Sequence, residues 1–140
     1  MEIIKVDKEN LKEITNFLES LGIIKDINET VVLNGEYVFD NEIIGFLSFE
    51  EFSNVGLIRY FVFKKIVDKD IIKELFKRIC EKAASHDIDV LITLVVKEDA
   101  INVFKDLGFV IANKADVYIE EININDTRFK DAIVLKYLLN

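Results

Sequence analysis

The chain has 140 residues, a formal net charge of −8 and 51% hydrophobic residues. Its length and apolar content fit a single domain over residues 1–140 with its own core. The acidic balance, with a pI near 4.7, argues against a nucleic-acid partner, because no basic run is longer than a Lys-Lys pair.

No apolar run approaches the ~18 residues needed to cross a bilayer. The opening MEIIKVDKEN is acidic and amphipathic, unlike a signal peptide, so the expected setting is cytoplasmic. Cys80 is the lone cysteine and His86 the lone histidine, on a different helical turn. Disulfides, cysteine-rich zinc sites and Cys-His catalysis are therefore not expected, and no metal ligands are assigned.

In chain order, Glu2 to Val6 alternates as a short strand. Asp7 can cap a helix whose Leu11, Ile14, Leu18 and Leu21 recur at helical spacing, with Phe17 widening the stripe. Gly22 is its expected stop. Thr30 to Leu33 and Tyr37 to Phe39 are rich in β-formers, with turns at Asn34-Gly35 and Asp40-Asn41. Glu42 to Phe52 and Val55 to Phe63 read as longer strands joined near Ser53-Asn54.

The second half changes period. Asp70 to Ala84 is helical, with Ile72, Leu75, Phe76, Ile79 and Ala83 on one face. Asp89 to Val96 is a continuous apolar run, the pattern of a strand buried on both faces. Lys97 to Leu107 is a second amphipathic helix that Gly108 ends. Phe109 to Ala112 begins a strand that can resume at Val117 to Ile122. Thr127 to Lys130 suits a short helical turn, and Ala132 to Leu139 a last strand. A meander followed by strand–helix–strand–helix predicts an α/β (α+β) fold, a mixed sheet with helices on both faces.

This order, with Ala100-x-x-x-Phe104-x-x-Leu107-Gly108-Phe109, resembles the GNAT acetyltransferase superfamily. Within it, the chain is most similar to the small arsenic-resistance-associated acetyltransferases and the N-acetylglutamate-synthase-type domains. The matching pieces are Glu50, Leu57-Ile58-Arg59, Phe104, and Thr127-Arg128-Phe129 before Ala132. The resemblance implies a largely antiparallel mixed sheet, acetyl-CoA as acyl donor and a small amino-acid-like amine as acceptor. It also implies that Phe61, Val62 and Phe63 run along the pantetheine arm. The phosphate-binding loop would then fall on residues 67–72, including Lys69, Asp70, Ile71 and Ile72, and Phe104 would stand beside the acyl-CoA.

At that loop the sequence departs from the family. The pattern R/Q-x-x-G-x-G/A falls on Val67, Asp68, Lys69, Asp70, Ile71 and Ile72, and no signature residue is present. Asp70 or Asp68 can cap the following helix and take the N–H groups that would hold phosphate. Lys64, Lys65 and Lys69 either offset this charge or are solvated. Phe104 replaces the tyrosine that protonates the departing thiolate in many members, and Lys97 stands where many have Asn.

Strand alternation puts Arg59 on one face with Leu57, Phe61 and Phe63. There it either binds a substrate carboxylate or pairs with Glu50 or Glu51. Glu50 is the candidate general base, and at most one of Glu50 and Glu51 can face the groove. Two functions follow. One is transfer of an acetyl group to a small amine. The other is a catalytically silent fold that binds an unknown ligand or protein partner. A last strand at a sheet edge would also allow a homodimer.

Overall fold

The computed structural model describes residues 1–22, 27–119, 121–127 and 129–139. It is a mixed α/β architecture with a large, mostly antiparallel sheet, as expected, and among the described residues it has four α-helices, one more than the sequence pattern gives. The chain falls into two compact units, Met1–Glu50 with Arg59–Lys82, and Glu51–Ile58 with Ala83–Asn140.

The first unit begins with β1 (Glu2–Lys5), which pairs antiparallel with β2 (Glu36–Phe39) from Glu2↔Phe39 to Lys5↔Glu36. β2 pairs antiparallel with β3 (Ile43–Phe52), and β4 (Val55–Phe63) follows beside β3. Helix α1 (Leu11–Ser20) lays Ile14, Phe17 and Leu18 on Tyr37 and Phe46, with Tyr60 and Val62 packed alongside. Gly22, at φ +87°, closes the helix by donating its N–H to the Glu19 carbonyl. Asp7 does not cap α1. Its carboxylate instead accepts the N–H groups of Glu9 and Asn10, building the turn before the helix, and Asn10 occupies the cap position.

Thr30 to Leu33 is not a strand. It belongs to α2 (Glu29–Leu33), because the Asn28 side chain accepts from Thr30 and Val31 N–H while Val31 and Val32 are buried. Cap and burial together outweigh the β preference of Thr-Val-Val. On the other face of β2, α3 (Lys69–Ser85) brings Lys82 to Glu36 at 2.6 Å. Gly45 of β3 admits the Phe63 ring, since a Cβ there would stand 2.4 Å from two of its carbons.

In the second unit, the start of β4 pairs parallel with β5 (Val90–Val95) over Val55↔Val90, Gly56↔Leu91 and Leu57↔Ile92. Helix α4 (Glu98–Asp106) ends before Gly108, at φ +105°. β6 (Val110–Ile111) follows, shorter than the Phe109 to Ala112 expectation. Val117 to Ile122 is not one strand: β7 (Tyr118–Ile119) and β8 (Ile122–Asn123) form a two-stranded hairpin turned at Glu121, φ +70°. The expected helical turn lies earlier than Thr127, as a 3-10 turn at Ile124–Asp126; Arg128 lies outside the described residues. β9 (Ile133–Leu138) then pairs antiparallel with β5 and with β6. Leu57, Ile92, Ala112, Val117, Ile124 and Val134 form the core on this face.

Candidate functional site

The β3–β4 hairpin sets the polar center of the first unit. Arg59 Nη1 donates to Glu50 Oε1 at 2.5 Å, with the two side chains 32% and 24% exposed. Of the partners left open by the sequence, the structure selects Glu50. Glu51 instead meets His86 Nδ1. The remaining N–H groups of the Arg59 guanidinium make no hydrogen bond among the described residues.

The next residue explains how Arg59 is held. Tyr60 sits in the left-handed region at φ +55° inside β4, a conformation that costs about 1–2 kcal/mol for a residue with a Cβ. Contacts of its hydroxyl and ring hold it there. Its hydroxyl accepts the Asn28 N–H at 3.1 Å, its ring stacks on Phe46 at 6.4 Å, and the Arg59 guanidinium carbon lies 5.3 Å from its centroid. Ser48 Oγ donates to the Arg59 carbonyl at 3.2 Å, tying the irregular residue to β3.

This irregularity corrects the strand alternation expected beyond Arg59. Tyr60 and Val62 pack toward α1 with Phe46, whereas Phe63 lies over Gly45, on the other face of β3. The Phe61 and Phe63 rings meet edge to face at 5.7 Å. Arg59 therefore does not share its face with Phe61 and Phe63. Tyr60 was not singled out by the sequence, and only a break in the alternation could have pointed to it. The parallel ladder to β5 covers Val55–Leu57, so Phe61–Phe63 lie beyond its end.

At the strand-to-helix turn, the Asp68 side chain caps α3. Its Oδ1 accepts the Asp70 N–H at 3.0 Å, and its carbonyl accepts from Ile71 at 3.0 Å and Ile72 at 3.4 Å. Of the two aspartates considered, Asp68 holds the helix end, and Asp70 is an exposed first-turn residue. Lys69 is exposed, while Ile71 and Ile72 are half-buried. Lys64 bonds Glu42 and Lys65 lies 3.7 Å from Asp40, so both lysines serve the β2–β3 turn. The bond from Lys64, and then its charge, hold the Glu42 carboxyl below its ordinary value.

Phe104 belongs to the second unit. It is buried in α4, with its ring 5.3 Å from Phe109, which in turn meets Tyr137 at 5.5 Å. Among the described residues no cluster of His, Cys, Asp or Glu could hold a metal ion, and no helix is long and apolar enough to cross a membrane.

Cys80 is half-buried, and its thiol is pushed up to about 12, first by burial and then by the Glu81 charge. The native protein should therefore react with a thiol reagent at about pH 8 far more slowly than the urea-unfolded chain. Equal rates would show an open, ordinary thiol. Above its ordinary value of 9.0 the unfolded thiol loses a proton that the folded one keeps up to about 12. Stability should accordingly fall as pH rises through that window.

Among the described residues the sheet has one parallel strand pair, β4 with β5, and β4 is irregular before the turn into α3. The acetyltransferase (GNAT) family model matches residues 2–109. The chain belongs to that family. Its fold is similar to N-acetylglutamate synthase from Neisseria gonorrhoeae, solved with coenzyme A and L-arginine, at a TM-score of 0.72 and 18% identity. That alignment covers 99% of this chain and 33% of the synthase, so the chain spans about a third of that protein's length. An N-acetyltransferase from Staphylococcus aureus Mu50 aligns at 0.66 and 20% identity over 99% of this chain and 97% of its own. A Salmonella typhimurium protein solved with its cofactor acetyl-CoA aligns at 0.67 and 14% identity, over 100% and 94%. No curated protein matches the chain by sequence.

Proposed function

We propose that this GNAT-family chain transfers an acetyl group from acetyl-CoA to the amine of a small acceptor that carries a carboxylate, as an amino acid does. The observation behind this reading is Arg59. It is half-exposed, held by Glu50 through one nitrogen, and leaves its other donors unused among the described residues. A guanidinium fixed in this way presents a planar fork suited to a carboxylate.

Acetyl-CoA supplies an activated thioester carbonyl. The peptide groups of Phe61–Phe63, beyond the β5 ladder, suit the pantetheine arm. The turn at residues 67–72 does not suit a pyrophosphate in the family's manner, because Asp68 already occupies the first-turn amide and adds negative charge. Donor affinity then rests on the strand more than on the loop.

Glu50 Oε1 is engaged by Arg59, which leaves Oε2 to take the proton of the acceptor ammonium. The freed amine would attack the thioester carbon while a β4 backbone N–H holds the oxyanion, and as the carbon–sulfur bond breaks the nitrogen would give its remaining excess proton to water. Phe104, the family's tyrosine position, has no proton to donate, so the thiolate is protonated from water. Arg59 orients the acceptor through its carboxylate.

A second reading, a silent fold binding another ligand or partner, draws on the same Asp68 cap. Calorimetry with acetyl-CoA, together with thioester turnover over amino acids and their decarboxylated amines, separates the two. Saturable binding with turnover of the amino acids supports the enzyme; no heat at about millimolar donor excludes it. Asp68→Ala should tighten donor binding several-fold while costing about 1 kcal/mol of stability through the lost cap. An unchanged donor affinity would remove the cap from the account.

A further inference from the structure

In the second unit a cleft of about 310 Å³ opens against the β4–β5–β9 ladder, at the lower end of the range for small-molecule sites. Its floor follows two alternate rungs, with Gly56, Leu91 and Tyr137 in the rung between them. Val55, Val90 and Leu138 stand opposite one another in the first, and Leu57, Ile92 and Lys136 in the second. Residues two apart on a strand share a face, so Val134 and Leu138 flank Lys136 along β9. A lysine thus sits where the pattern of the rungs supplies an apolar side chain.

Lys136 is half-buried, and among the described residues it has no ion pair or hydrogen bond. Asp116 lines the same cleft and is not within ion-pair distance of it. A lysine can lie along apolar surface with its ammonium in water, and that role needs no ligand. Here, however, the side chain borders a cavity with room for a ligand body, and among the described residues Lys136 is the cationic residue that lines it.

We propose that this cleft binds a small monocarboxylate with an apolar body, of the size of a branched-chain or phenyl-substituted acid. The body rests on Val55, Val90, Ile92 and Leu138, and the carboxylate pairs with Lys136. One ammonium matches one negative charge. A phosphate dianion would carry unmatched charge beside Asp116 in a chain of net charge −8. None of the lining residues belongs to the acetyl-transfer site described above, so the two proposals stand or fall separately.

The test is a titration of the full chain with 4-methylpentanoate and phenylacetate, followed through the methyl NMR signals of Val55, Val90, Ile92 and Leu138. Saturable shifts at those methyls are expected, with 4-methylpentanamide binding at least about tenfold more weakly than the acid. Lys136→Met should reduce acid affinity to that of the amide and leave the amide unchanged. If that variant does not fold, the acid–amide comparison on the native chain decides alone. Equal affinities for acid and amide, the same acid affinity in Lys136→Met, or no saturation at these methyls up to about 10 mM would overturn the proposal. Displacement of the acid by inorganic phosphate would overturn the assignment to a single charge.

Discussion

Arg59→Lys should raise the KM for an amino-acid acceptor by about 30- to 150-fold while leaving acetyl-CoA binding unchanged, a loss of about 2–3 kcal/mol. The lysine keeps the charge and loses the planar fork that holds Glu50 with one nitrogen and leaves others for the acceptor. Steady-state kinetics with an amino acid and with its decarboxylated amine provide the check. The variant should lose discrimination between them, because only the amino acid uses the guanidinium. Stability should move by less than about 1 kcal/mol, since the ion pair is partly exposed. If Arg59 serves only to hold the hairpin, KM stays constant for both acceptors and the unfolding midpoint alone shifts. Glu50→Gln completes the pair. It should lower kcat by about 10²- to 10⁴-fold, leaving acceptor KM less affected.

The elements that could be read from the sequence are those with long, consistent patterns. Both long strands of the β3–β4 hairpin, helices α3 and α4, and β5 were visible because apolar spacing, caps and flanking glycines agree along each. Gly22 and Gly108 do adopt positive φ at their helix ends. The short elements depart from their residue-type preference where one local contact decides the conformation. Thr30-Val31-Val32 favors a strand by residue type, yet the Asn28 cap and two buried valines make a helical turn. Glu121 at φ +70° folds Val117 to Ile122 into a hairpin, although nothing in its residue type requires that conformation.

The candidate site was legible to a similar depth. The pairing of Arg59 with a neighboring glutamate follows from the strand spacing, and the aspartate cap follows from a turn without glycine. What the sequence could not supply is the irregularity at Tyr60. A tyrosine at positive φ is recognized only from its three-dimensional contacts: the Asn28 N–H, the Phe46 ring and the Arg59 guanidinium. That single dihedral sends Val62 and Phe63 to the faces opposite those a regular strand would give them. The functional consequence is that Arg59 lies among polar and aromatic neighbors, rather than on a wall of phenylalanines.

The largest stability effect should come from a residue outside the catalytic proposal, Glu36. The residue is 5% exposed, and its carboxylate accepts from Lys82 Nζ at 2.6 Å, with Arg78 Nη1 3.9 Å away. Lys82 also donates to the Gly35 carbonyl at 3.0 Å, so the ammonium is fixed between two acceptors on β2 and the residue before it. Glu36→Ala removes the charge partner and leaves the ammonium partly desolvated, at an expected cost of about 3–5 kcal/mol. That is a large share of the 5–15 kcal/mol typical of a whole domain. Urea unfolding of the native chain, Glu36→Ala and the double variant Glu36→Leu/Lys82→Met would measure it. The double variant should be more stable than the single one, because it removes the partly buried ammonium together with the carboxylate that balances its charge. A double variant as unstable as Glu36→Ala would mean that the carboxylate acts through packing on β2, and that the ion pair itself contributes little.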